Sequence, residues 1–194
     1  MRRRRDEKRT GKFLVIFIGI IMVLSVFGVV FFGYGGGVNS VNEKGLKFVD
    51  NGNYWTTNVN GREALFTYLP SQVESIPISY DIINRFKNVI EIDVTSDFND
   101  TFAEEIALAQ FQIGVTLNNF NVFVRNGFTS ENPSNFDIIT CEDSTNLVPV
   151  IYFKSSNETK VYVENNCIIA EALSENDVLG VKDRLVYWVL GVIE

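Results

Sequence analysis

The chain has 194 residues, no histidine, two cysteines and a formal net charge of −7 at pH 7. The missing histidine removes the commonest general base and metal ligand, and with them any Ser-His-Asp or Cys-His enzyme. The acidic balance argues against polyanionic partners, so no nucleic acid is expected.

The charge is unevenly distributed. Met1–Lys12 holds seven cationic and two acidic residues, a balance of +5, which leaves −12 for the rest. Phe13–Phe32 follows, twenty residues with no charge and a single hydroxyl, Ser25. About 20 apolar residues in a helix cross a hydrocarbon core of about 30 Å. The segmentation expected is a cytoplasmic basic head at 1–12, a transmembrane helix at 13–33, a Gly-rich tether at 34–45 and an extracytoplasmic domain at 46–194. The positive-inside rule sets this orientation and places the protein in the cell membrane as a single-pass chain. A cleaved signal peptide is the rival reading, but its apolar region would run to about 7–15 residues and end in small side chains. Phe31 and Phe32 stand there instead.

Leu46 and Phe48, then Tyr54–Val59 and Glu63–Leu69, read as a β-meander. Asn60-Gly61 is the hairpin turn, because a type I′ turn needs positive φ at both central residues. A short helix is expected over Tyr80–Lys87. Val89–Val94 reads as a strand and Phe102–Phe120 as a helix, with Thr101 and Glu104 as a capping box. Phe102, Ile106, Ala109, Ile113, Leu117 and Phe120 fall at helical spacing and form its core stripe. Asn121–Val124 starts the next strand, and Ile138–Cys141 is a further one. Pro149–Phe153 and Lys160–Glu164 read as a hairpin across Ser155–Thr159. Cys167–Ala170 is short, and a helix over Glu175–Val192 is capped by Ser174. Val178, Val181, Leu185, Val189 and Val192 line its buried side. Asp183 and Arg184 read as a surface pair or a partner contact. The fold class expected is α+β with an α/β-like core.

The order β-α-β then β-β-α, with Val148-Pro149-Val150-Ile151-Tyr152-Phe153 leading a strand, resembles the thioredoxin fold over about residues 88–193. The resemblance implies a cis-proline at Pro149. The family's Cys-x-x-Cys place holds Asp97-Phe98-Asn99-Asp100-Thr101, so no catalytic pair carries over. The whole layout also resembles a group of uncharacterised archaeal single-pass proteins. Ile139–Cys141, Val148–Ile151, Asn166–Ile169 and Asp183–Tyr187 carry that likeness, and it implies no activity.

Cys141 and Cys167 read first as a structural disulfide in an oxidising compartment. A redox-active couple needs a lowered thiol pKa, and Glu142 and Asp143 beside Cys141 act the other way. Asp93, Asp97 and Asp100 sit near the end of a strand before a helix, where α/β sites lie, and oxygen ligands there suit Ca²⁺. Capping of the helix explains most of them without a metal. Asn99-Asp100-Thr101 and Asn157-Glu158-Thr159 are glycosylation sequons. Trp55 and Trp188 read as core or rim residues. No cofactor is expected. The function expected is membrane-anchored binding or assembly with a protein partner at the cell surface, more a binder than an enzyme. An envelope thiol–disulfide oxidoreductase using Cys141 and Cys167 and a Ca²⁺-dependent surface module stay open as alternatives.

Overall fold

The computed structural model describes residues 15–23, 39–87, 89–133 and 135–193. The chain divides into two units at Val38/Asn39. In the first, residues 15–23 form a helix (α1) whose side chains are all exposed. The rest of the span expected at 13–33, and the basic head, lie outside the described residues. Among the described residues no helix is long and apolar enough to cross a membrane.

The second unit is a mixed α+β structure with two sheets. Strands β1 (Ser40–Glu43), β2 (Leu46–Asp50), β3 (Trp55–Val59) and β4 (Arg62–Phe66) form an antiparallel meander in chain order. Asn60 and Gly61 have φ of 52° and 84°, the pair of positive values that a type I′ turn requires. Strand β1 falls within the stretch expected as tether. Its partner β2 lies just across the Lys44-Gly45 turn, so a second tight hairpin extends the sheet. Two short helices follow, α2 (Pro70–Val73) and α3 (Ile82–Arg85).

The second sheet is built from β5 (Glu91–Ser96), β6 (Phe123–Phe128), β7 (Val150–Ser155), β8 (Lys160–Glu164) and β9 (Cys167–Ala172). Its order is β6-β5-β7-β9-β8. Strands β6, β5, β7 and β9 run parallel, and β8 is antiparallel to β9. Helix α4 (Ala103–Asn118) makes the β5-to-β6 crossover, and α5 (Glu175–Val189) closes the chain.

The β-α-β half of the thioredoxin-like expectation is present, and the hairpin half is not. Strands β7 and β8 are not neighbours; β9 lies between them, parallel to β7. The tight hairpin is β8–β9, because Asn165 and Asn166 take φ of 48° and 70° and turn the chain there. The Val148–Pro149 peptide is trans, which corrects the cis-proline. The Thr145–Val148 turn delivers the chain to β7 already extended, and the Pro149 carbonyl accepts the Asp93 N–H at 3.0 Å. Ile138–Cys141 is no strand either. It makes one bridge to Phe128 and then enters a 3-10 turn over Cys141–Asp143.

Helices α4 and α5 pack between the two sheets. One face of the second sheet gives them Ile92, Val94, Ile151, Phe153, Ile168 and Ala170, and the meander gives Phe48, Ala64 and Phe66 from the other side. Phe66 stacks on Tyr187 of α5 at 3.8 Å between ring centroids. Burying each such aromatic contributes roughly 1.5–3 kcal/mol. The expected stripe on α4 holds, with Ile106, Ala109, Ile113 and Leu117 buried. Its cap does not: Phe102 is the N-cap residue, and Asp100 rather than Thr101 accepts an N–H there, that of Phe102 at 2.8 Å. Ser174 caps α5 as expected, accepting from the Asp177 N–H.

The pair Asp183 and Arg184 is not on the surface. Lys182, Asp183 and Arg184 are 1%, 0% and 5% exposed. The middle of helix α5 is covered by α4, α2 and both sheets' core, which buries these three residues, while Glu175 and Asn176 in its first turn are exposed.

Candidate functional site

The strand order reverses between β5 and β7, since α4 carries the chain from β5 to the opposite side. The crevice beyond the strand ends at such a switch is where α/β folds place ligands. Here the two lips are the β5–α4 loop and the end of β7. Asp100 closes them together: its Oδ2 accepts from the Ser155 N–H at 2.9 Å and from the Ser155 hydroxyl at 3.2 Å. Asp97 is spent locally, with Oδ1 accepting the Asn99 N–H at 2.8 Å. Asp93 lies farther back in β5, 1% exposed, on the face away from the helices. Arg125 of β6 donates to it through Nε at 2.9 Å and Nη2 at 2.6 Å, a bidentate pair. That bond raises the Arg125 pKa.

Asp93, Asp97 and Asp100 therefore each serve a different partner. Among the described residues, no group of three or more His, Cys, Asp or Glu side chains could hold a metal ion. Asn99 and Asn157, the sequon residues, are both exposed, and their two loops are joined by the Asp100–Ser155 contact.

Cys141 and Cys167 are disulfide-bonded with Cα atoms 5.1 Å apart. Cys167 is 0% exposed and packs with Ile139, Val150 and Ile169. The bond holds the segment before β7 across the face of the sheet that the helices leave bare. Gly127 lets that segment approach: a Cβ there would lie 2.6 Å from the Asp137 carbonyl oxygen. Asp143 steadies the 3-10 turn by accepting from the Thr140 N–H and hydroxyl at 2.8 and 3.0 Å, which lowers its pKa.

Sequence reasoning missed one cluster. Glu171 of β9 stands opposite Lys154 of β7 and Lys160 of β8 in register. Their ammonium groups lie 3.0 and 3.6 Å from its carboxylate, and the Tyr162 hydroxyl donates to it at 3.1 Å. Burial pushes the Glu171 pKa up, but Lys154, Tyr162 and Lys160 outweigh it and hold the group below its ordinary value. The same carboxylate raises Lys154, and Glu158 raises Lys160. Burial raises Tyr152, helped by Asp97, and raises Tyr162, helped by Glu171. The cluster was findable only by knowing that β9 sits between β7 and β8.

Acid–base catalysis needs groups tuned toward the working pH. Each of these shifts runs the other way and locks the group in its resting charge state. The arrangement is a charge lattice of cross-strand pairs, a kind that stabilises sheets. No protein-family model, curated protein or solved structure matches the chain.

Proposed function

We propose that the chain is a membrane-anchored, extracytoplasmic binding or assembly domain without catalytic activity, of the kind seen in archaeal single-pass proteins. The observation that carries the non-catalytic reading is the pairing at the switch point and open face. Asp93, Asp100 and Glu171 are each committed to a side chain or amide of the same chain. A protein partner is favoured by the outward side of α4. Leu108, Phe111 and Val115 lie there at helical spacing, 44%, 64% and 37% exposed, in an acidic domain. The apolar run Phe13–Phe32 and the +5 head support the anchor and its direction.

Protease added outside intact cells tests the location: loss of the acidic domain with survival of the basic head supports it, and full protection overturns it. Phe111→Glu tests the partner face. It should abolish a cross-linked complex while leaving the melting temperature within a few degrees.

The redox alternative rests on the disulfide and on the β5-α4-β6 unit, with the closing helix, as a thioredoxin-like half. The buried Cys167 and the non-adjacent β7 and β8 speak against it. A reduction potential near about −200 mV would favour that alternative, and one below about −300 mV the structural staple. The Ca²⁺ alternative would need Asp93 released from Arg125. A calcium-dependent rise in melting temperature would support it.

A further inference from the structure

The fold brings two distant sequence motifs to one rim. Asn99-Asp100-Thr101 lies in the β5–α4 connection and Asn157-Glu158-Thr159 in the β7–β8 connection. Strands β5 and β7 are parallel neighbours, with Ser96 opposite Phe153, so both connections leave the sheet at the same end. The Asp100 carboxylate ties them together through the Ser155 N–H at 2.9 Å and hydroxyl at 3.2 Å. Chain geometry then keeps the Cα atoms of Asn99 and Asn157 within about 20 Å of each other. Asn99, Thr101 and Asn157 are all exposed. The Asn99 main-chain N–H is held by Asp97 Oδ1 at 2.8 Å, whereas its side-chain amide and the Thr101 hydroxyl are bonded to none of the described residues. The Asn157 amide is equally unengaged among them. The Thr159 hydroxyl accepts the Leu173 N–H at 3.1 Å and keeps its own hydrogen to donate.

We propose that Asn99 and Asn157 are both N-glycosylated, which covers the rim at the strand-order switch with sugar. The acceptor motif is Asn-x-Ser/Thr with x other than proline, on a surface loop of an exported chain. The sequence holds these two, since Asn132-Pro133-Ser134 is disqualified by its proline. Each attachment forms a bond between the asparagine Nδ2 and C1 of an oligosaccharide carried on a lipid phosphate. The C1–O bond to the phosphate breaks, the lipid phosphate leaves with the electron pair, and the amide gives up one proton. The lipid-linked donor and its transferase belong to the host and act on the extracytoplasmic side, so the proposal rests on that placement of the domain. Its consequence is a division of the surface. Bulky, hydrated glycans keep macromolecules off both lips of the crevice. The stripe of Leu108, Phe111 and Val115 starts more than a turn into α4 and holds no sequon, which leaves it open as the docking side.

The full chain is expressed in a host that N-glycosylates its exported proteins, extracted in neutral detergent and mapped by peptide mass spectrometry. Glycan mass on both the Asn99 and the Asn157 peptides is the expected result. Asn99→Gln and Asn157→Gln should each remove one step of gel mobility, and the double variant both. Thr101→Ala should abolish the glycan on Asn99 and Thr101→Ser should keep it, because that hydroxyl holds no described residue in the fold. Arg62→Thr supplies a control by completing a third sequon at Asn60, exposed at the tip of the β3–β4 hairpin. Glycan on Asn60 with neither Asn99 nor Asn157 modified overturns the proposal and leaves the location intact. No glycan on any of the three overturns the location and the proposal with it. A glycan on one natural site alone overturns the paired cover.

Discussion

Asp183, wholly buried in the middle of α5, accepts the main-chain N–H of Thr67 at 2.8 Å. The same oxygen accepts the Tyr68 N–H at 2.8 Å, and the other carboxylate oxygen takes the Lys182 ammonium. The Tyr187 hydroxyl donates to the Tyr68 carbonyl at 2.8 Å. The exit of the meander is thereby latched to the last helix. Two consecutive amides that leave β4 would otherwise be buried without partners, a cost of about 1–3 kcal/mol each. Burial pushes the Asp183 carboxyl up, and the ammonium and two amides pull it back.

Asp183→Asn should lower stability by about 3–5 kcal/mol, because it leaves the Lys182 ammonium buried without a counter-charge. Urea unfolding of the full chain measures this. Lys182→Met combined with Asp183→Asn should cost less than Asp183→Asn alone. A single-variant loss under about 1 kcal/mol would mean that the latch is dispensable.

Gly127→Ala should be far worse than an ordinary strand substitution. The added Cβ meets backbone, the Asp137 carbonyl oxygen at 2.6 Å, and two carbons of Ile139 at 2.7 and 2.8 Å. A loss of about 1–3 kcal/mol is expected, the range for overpacking. Faster amide exchange around Ile139 should accompany it. Unchanged exchange there would count against the close crossing.

Stability should fall in acid partly through Glu171. Its folded pKa is held below the unfolded value of about 4.3. Its contribution is therefore complete above about pH 4.3 and is lost as pH falls through the folded pKa. Glu171→Gln should lower stability at pH 7 and flatten this part of the acid limb. Parallel curves for the two proteins, read by thermal unfolding from pH 7 to 3, would remove Glu171 from the account.

Cys141→Ser with Cys167→Ser should cost up to ~3.5 kcal/mol by the chain-entropy argument for a loop of 26 residues. The loss should appear in denaturant midpoints and be matched by chemical reduction of the unsubstituted chain. Equal midpoints for oxidised and reduced chains would show that the bond carries no stability.

Much of the local structure was legible. Asn60-Gly61 signalled its turn through the positive φ it needs, and Ser174 signalled the start of α5 through its side-chain acceptor. The period of Ile106, Ala109, Ile113 and Leu117 marked the buried side of α4. The helix entry differs from the expected capping box because the chain turns on Asp100, which accepts the Phe102 N–H and also reaches Ser155, a contact between distant segments. Of the candidate site, the cysteine pair was readable and the Lys154–Glu171–Lys160 lattice was not.

Sequence alone determined most of the longer elements, the disulfide partners, the lack of histidine and the contrast between a basic head and an acidic remainder, because these depend on residue identity and near neighbours. Only the tertiary structure decided that β9 separates β7 from β8, that β1 joins the meander, and that Asp183 faces backbone instead of water. Strand neighbours and helix environments depend on contacts between distant segments. A pattern of alternating or helical spacing says which side of an element is apolar, but not what covers the other side.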